Sequence, residues 1–247
     1  VAVADTSGIV SLAGAVISAG AAVTTVVLTR RTAARERQEA AAELALRYRE
    51  PLVHAAFNLQ TRLNNIVSPD HRFLQRFLTS GTPAEAEYAR LNTVYLLGQY
   101  LCWSEILRRE GQFIDPVDLH RDREVMGAME EVREALSDSI DLPDPTLRVF
   151  RGEQRAIGEV LLTRTDNPSE RVGPRWDCLG YAAFVEALDD KDTARWFTTL
   201  LEDVDRLADN LDEHRARLVA LQHALLKLID LLDPDGDRVS AQLRQPL

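Results

Sequence analysis

The apolar and polar positions follow one regime in residues 8 to 29 and another in the rest of the chain. Residues 8 to 29, GIVSLAGAVISAGAAVTTVVLT, carry no charge and show no polar face. As a helix these 22 residues span about 33 Å, enough for a hydrocarbon core of about 30 Å. Asp5 precedes the run, and Arg30, Arg31, Arg35 and Arg37 follow it. That is the reverse of a signal peptide, which carries its basic residues first. The charge asymmetry predicts a single-pass transmembrane helix at the cell membrane, with residues 1–7 outside and the C-terminal domain cytoplasmic. Ser11, Gly14, Ser18, Ala22 and Thr25 share one helical face. Small residues in that arrangement permit close helix packing in lipid.

Residues 30–50 are rich in Ala, Glu, Arg and Gln, all strong helix formers. They predict a basic helical stalk. From Pro51 to Leu247 the pattern changes to amphipathic helices, the expected bundle domain. Leu52, Ala56, Leu59, Leu63 and Ile66 recur at spacings of three and four, opposite a polar stripe of His54, Asn58, Thr61 and Asn65. Ser68-Pro69-Asp70 is a turn. Thr82-Pro83-Ala84-Glu85 has the form of a capping box with proline in the first turn. It opens a helix expected to reach about Phe113, apolar on more than one face, in which Gly98 marks a close backbone approach. Residues 117–140 predict a more exposed helix with Met126, Met129, Leu136 and Ile140 inward. LPDP at 142–145 reads as a linker, with Asp144 capping a following helix. Residues 163–177 read as a long loop, and no strand is expected.

The longest regular pattern lies near the C-terminus. Phe197, Leu200, Val204, Leu207, Leu211, His214, Leu218, Leu221, Leu225, Leu228 and Leu232 alternate by three and four. Such a seam predicts coiled-coil-type packing. One long helix could pair with its copy in a homodimer. Alternatively, two helices broken near Asp209-Asn210 could pack inside one bundle. The further apolar residues Leu226, Ile229 and Leu231 favour the bundle.

The fold class expected is therefore all-α: one membrane helix, a stalk and a cytoplasmic multi-helix bundle. The net charge of −10 excludes phosphate-backbone attraction as a driving force, so no nucleic-acid partner is expected. Only Lys191 and Lys227 among the 29 basic residues are lysines, the usage of a GC-rich bacterial genome. Cys102 and Cys178 lie among apolar neighbours and form no disulfide framework.

Candidate chemistry is sparse. Arg148, Arg151 and Arg155 are spaced to line one helix face, and Arg164, Arg171, Arg175 and Trp176 follow nearby. Guanidinium forks bind carboxylate and phosphate bidentately, so this group is the candidate anion or partner contact. Glu105, in an apolar helix with Arg108 and Arg109 after it, is either a structural ion pair or an acid–base group. His214 interrupts the apolar seam as a core histidine or a pH-sensitive element. Asp233-Pro234-Asp235-Gly236-Asp237 fails the spacing of a calcium loop and reads as a helix stop. No catalytic, cofactor or metal motif is present. The expectation is a non-enzymatic, membrane-anchored interaction or regulatory module, such as an accessory subunit of a larger membrane complex. Its expected partners are the lipid bilayer and another membrane protein or a second copy. The alternative is a membrane-tethered sensor of a small anion.

Overall fold

The short connections and repeated amphipathic faces of the sequence require helices that bury one side against their neighbours. The computed structural model describes residues 30, 32, 48–110, 119–165 and 175–247. Contacts divide the chain into Val1–Leu44 and Ala45–Leu247, and the fold described here is that of the second unit. Among the described residues no helix is long and apolar enough to cross a membrane. The expected span 8–29, its small-residue face and most of the stalk lie outside them.

The described chain is mostly helical. Its elements are α1 (48–67), a π-helical turn at Gln75–Thr79, α2 (Pro83–Glu110), α3 (Leu119–Ser137), α4 (Arg151–Val160), α5 (Tyr181–Ala187), α6 (Lys191–Ala194), α7 (Thr198–Asp209) and α8 (Leu211–Leu232). Between α4 and α5 lies an antiparallel hairpin, β1 (Leu162–Thr165) and β2 (Arg175–Cys178), with Leu162 opposite Cys178 and Arg164 opposite Trp176. The hairpin corrects the expectation that no strand forms. Each strand has only four residues, too few to register as a period-two pattern.

α8 lies between α1 and α3, antiparallel to both. Arg49, Gln60 and Arg215 tie α1 to α8 through Leu232 O, Gln222 and Val67 O in turn. Arg121 donates to Leu231 O, and Arg217 donates to Ala135 O. α2 runs antiparallel to α4, with Gly98 against Leu161 and Gly158 against Leu101. Gly98 is thus the close approach its position suggested. The capping box is also formed: Thr82 N–H donates to Glu85 Oε2 at 2.7 Å, and Glu85 N–H to Thr82 Oγ1 at 3.3 Å.

The apolar seam is divided by Asn210 into α7 and α8, whose faces are used inside the bundle. Phe197, Leu200, Val204, Leu207, Leu218, Leu221, Leu225, Leu228 and Leu232 are all buried, together with Leu226 and Ile229. Leu211 and His214 flank the break and are half-buried. In α3 the inward residues are Val125, Ala128, Met129, Val132 and Leu136. Met126 is 42% exposed and Ile140 is 88% exposed, against expectation. The inward face of α3 runs through Val125, Met129, Val132 and Leu136 and leaves Met126 beside it, while Ile140 lies beyond Ser137, where the chain has left the helical phase. Asp144 caps no helix. Its Oδ1 accepts from Thr146 N–H at 3.1 Å in a local turn, and α4 begins only at Arg151 with Phe150 as its N-cap.

Asp233 ends α8 as the sequence suggested. Its carboxylate accepts from the N–H groups of Asp237 and Val239 and from Arg244 Nη2. Burial acts to raise this carboxyl, but those bonds outweigh it and hold it below the usual range.

Candidate anion site between three helices

Arg151 and Arg155 are four residues apart on α4 and therefore project from one face. That face meets α2 and α3, which bring Arg108 and Arg133 to the same place. Leu101, Ser104, Glu105, Gln154 and the four arginines line a cleft of about 260 Å³. The close approach of Gly158 to Leu101 brings α4 near enough for this. A Cβ on Gly158 would sit 2.7 Å from Leu101 O and 3.0 Å from Glu105 Cβ.

Glu105 is the hub. It is 3% exposed. Its Oε2 accepts from Arg108 Nε at 2.7 Å, and its Oε1 from Arg108 Nη2 at 2.5 Å and Arg109 Nε at 2.7 Å. Arg155 Nε lies 3.9 Å from Oε2. Burial alone would raise this carboxyl; the bonds from Arg108 and Arg109 win and lower it. A carboxyl held ionised is not poised to donate a proton near neutrality. Glu105 is the structural ion pair of the two sequence alternatives.

The other carboxylates near the arginines do not line the cleft. Glu130 pairs with Arg133 at 2.9 Å and with Arg151. Glu134 lies 3.8 Å from Arg151, and Glu159 pairs with Arg109 at 2.9 Å and lies 3.8 Å from Arg155. Glu130, Glu134 and Glu159 are all solvent-exposed, and such pairs contribute about 0–1 kcal/mol each. Two polar atoms at the cleft wall, Ser104 Oγ and Gln154 Oε1, are buried without a hydrogen-bond partner. The arrangement offers guanidinium donors from three helices and carboxylates that are cheap to displace.

The structure separates the remaining predicted residues. Arg148 is not on the helix face with Arg151 and Arg155, because α4 starts after it. It lines a different cleft. Arg175 and Trp176 lie on β2; Arg171 lies outside the described residues. The Trp176 ring has Arg109 Cζ and Arg164 Cζ each 5.9 Å from its centroid, so the hairpin touches the Glu105 cluster through Arg109. Arg133 and Glu130 were missed by sequence reasoning, which marks Arg108 only as an ion-pair partner of Glu105, not as part of an anion site. Their local spacing carries no sign that three helices meet there.

Elsewhere, Cys102 and Cys178 are free neighbours. The Cys178 thiol and burial together push the Cys102 thiol well above its ordinary value. His214 Nδ1 lies 2.9 Å from Asp144 Oδ2 and 3.2 Å from Thr146 Oγ1, so it is partnered as a hydrogen-bonded core histidine would be. Among the described residues no group of three or more His, Cys, Asp or Glu is placed to hold a metal.

No known protein family, curated protein or solved structure matches this chain.

Proposed function

We propose that the bundle is a non-enzymatic regulatory module that takes a small phosphate- or carboxylate-bearing anion in the α2–α3–α4 cleft. The observation that carries this reading is the convergence of Arg108, Arg133, Arg151 and Arg155 on one cleft of about 260 Å³. That volume lies just below the range of drug-sized pockets, so the ligand is a small one. The anion exchanges the exposed Glu130 and Glu134 carboxylates for itself on Arg151. In doing so it releases an ionic link between α3 and α4, and the bundle surface changes with it. Charge-assisted bidentate bonds to the ligand supply the driving force.

In this reading residues 8–29 hold the module at the cytoplasmic face of the membrane, where tethering raises its effective concentration toward a membrane partner. The uncharged run and its small-residue face support a second reading, an accessory subunit docked through that helix. The test is thermal unfolding of the full chain in detergent with inorganic phosphate, phosphate monoesters and short carboxylates. A ligand at a hundred times its Kd stabilises by about 2.7 kcal/mol, and Arg151→Glu abolishes the gain. Absence of any shift across the panel contradicts the anion reading. A stoichiometric membrane protein co-purifying only with the full chain then favours the second.

A further inference from the structure

Arg148, displaced from the expected helix face, lines a separate cleft of about 220 Å³ with Arg195, Phe150, Trp196 and Glu153. Its apolar wall includes Val149, Ile157 and Leu200, all buried. Arg148 Cζ lies 5.3 Å from the Phe150 ring centroid, and Arg195 Cζ lies 4.8 Å from that of Trp196. The chain has more acidic than basic residues, and the arginines of the α2–α3–α4 cleft are all paired with carboxylates. Yet among the described residues neither Arg148 nor Arg195 has a carboxylate within 4.0 Å. Glu153, which lines the cleft, is engaged elsewhere: its Oε2 accepts from Phe150 N–H at 2.8 Å.

The backbone that presents Arg148 is held in an uncommon conformation. Leu147 has φ of 54°, a left-handed value that a branched apolar residue rarely adopts. Two carboxylates pin the backbone there. Asp203, with 0% exposure, accepts from Leu147 N–H at 2.8 Å, and Asp144 accepts from Thr146 N–H at 3.1 Å. Strain of this kind persists where surrounding structure over-determines it, and it concentrates at ligand clamps. Here it immediately precedes Arg148 and Phe150, which line one cleft with Trp196.

We propose that this cleft binds a carboxylate that carries an aromatic or branched aliphatic group. The guanidiniums take the carboxylate, and the two rings with the apolar wall take the side group. Glu153 repels a second negative charge, which selects a monoanion over a phosphate dianion. The site is independent of the α2–α3–α4 cleft, and its test does not depend on anion binding there. A free small acid and the C-terminal residue of a partner protein share this chemistry.

The experiment uses the full chain in detergent, labelled with 5-fluorotryptophan and read by fluorine NMR. Trp103, Trp176 and Trp196 each give a resonance, and Trp196→Phe assigns the third. The probes are phenylacetate, its neutral counterpart 2-phenylethanol, and N-acetyl-glycyl-phenylalanine as acid and as amide. Phenylacetate or the peptide acid is expected to shift the Trp196 resonance saturably, while the alcohol and the amide do not. Arg148→Gln and Arg195→Gln, both with native unfolding midpoints, each weaken binding about tenfold. Response to the peptide acid alone assigns a protein C-terminus as the source; response to phenylacetate alone assigns a free acid. A response to neither acid, an equal response to the alcohol, or undiminished binding in both variants overturns the proposal.

Discussion

Gly158→Ala and Gly98→Ala are the same chemical change on facing helices, and the structure predicts unequal consequences. Each replaces a helical glycine by a better helix former, a gain of about 1 kcal/mol. At Gly98 the new methyl meets Leu161 Cδ1 at 2.7 Å, the end of a side chain that can rotate away. The strain there is about 1 kcal/mol, so the net change is close to zero. At Gly158 the methyl meets Leu101 O at 2.7 Å and Leu101 C at 3.1 Å. Backbone inside a helix cannot rotate aside, so α2 and α4 must separate. Overpacking of this kind costs about 3 kcal/mol at the upper end of its range. Subtracting the helix gain leaves Gly158→Ala about 2 kcal/mol less stable. In a domain of this size that lowers Tm by about 4–8 °C. Urea denaturation and thermal unfolding of both variants measure it. A Gly158→Ala chain at least as stable as Gly98→Ala refutes the close packing on which the Glu105 cleft depends.

Glu105→Gln removes the negative charge at the hub of the arginines. It is expected to destabilise the fold by about 1–3 kcal/mol, yet to tighten phosphate binding about three- to tenfold; urea midpoints and calorimetric titration read the two effects separately. Arg217 is 1% exposed and donates to the carbonyls of Ala135, Leu136, Asp138, Leu142 and Asp144. Arg217→Met therefore costs about 3 kcal/mol or more, and Arg217→Lys recovers only part of it because the fork is lost. Asp233 has a folded-state pKa below its unfolded value. Its contribution is full above the unfolded pKa of about 3.9 and is lost as pH falls through the folded value. Asp233→Asn should lower the urea midpoint at pH 7, with the gap to the native chain closing below about pH 4.

The helical architecture was legible wherever a local rule decides it. The three-four spacing from Phe197 to Leu232 marked the faces of α7 and α8, and Thr82 with Glu85 marked the start of α2. The spacing leaves open whether the seam breaks at Asp209-Asn210, because it runs on in phase across it; only the further apolar residues Leu226, Ile229 and Leu231 favour the bundle. The hairpin was not legible, because its support is tertiary: Tyr95 on α2 donates its hydroxyl to Leu179 O at 3.0 Å, just past β2. Asp144 misled, since a capping residue and a local turn residue look alike until the following backbone is seen. Of the arginine cleft, two features were local: the four-residue spacing of Arg151 and Arg155, and Glu105 with Arg108 three residues on. Arg133 and Glu130, and the meeting of Arg108 with Arg151 and Arg155, enter through helix packing, and Gly158 carries no turn signal to mark the approach that permits it. Arg148 was assigned to the wrong surface for the same reason as Asp144: α4 begins later than the proline pattern implied.

The central claim is that the α2–α3–α4 arginines bind an anion rather than serve only as ion pairs. The most direct measurement is calorimetric titration of inorganic phosphate into the native full chain and into the exchanged pair Glu130→Arg with Arg151→Glu. The exchange keeps an opposite-charge pair between positions 130 and 151 and places a carboxylate in the cleft. It gives up the exposed Glu130–Arg133 and Glu134–Arg151 pairs, worth about 0–1 kcal/mol each. The account predicts a native-like unfolding midpoint for the exchanged chain and at least about a tenfold loss of phosphate affinity. Equal affinity in the two chains, or no binding by the native one, contradicts it.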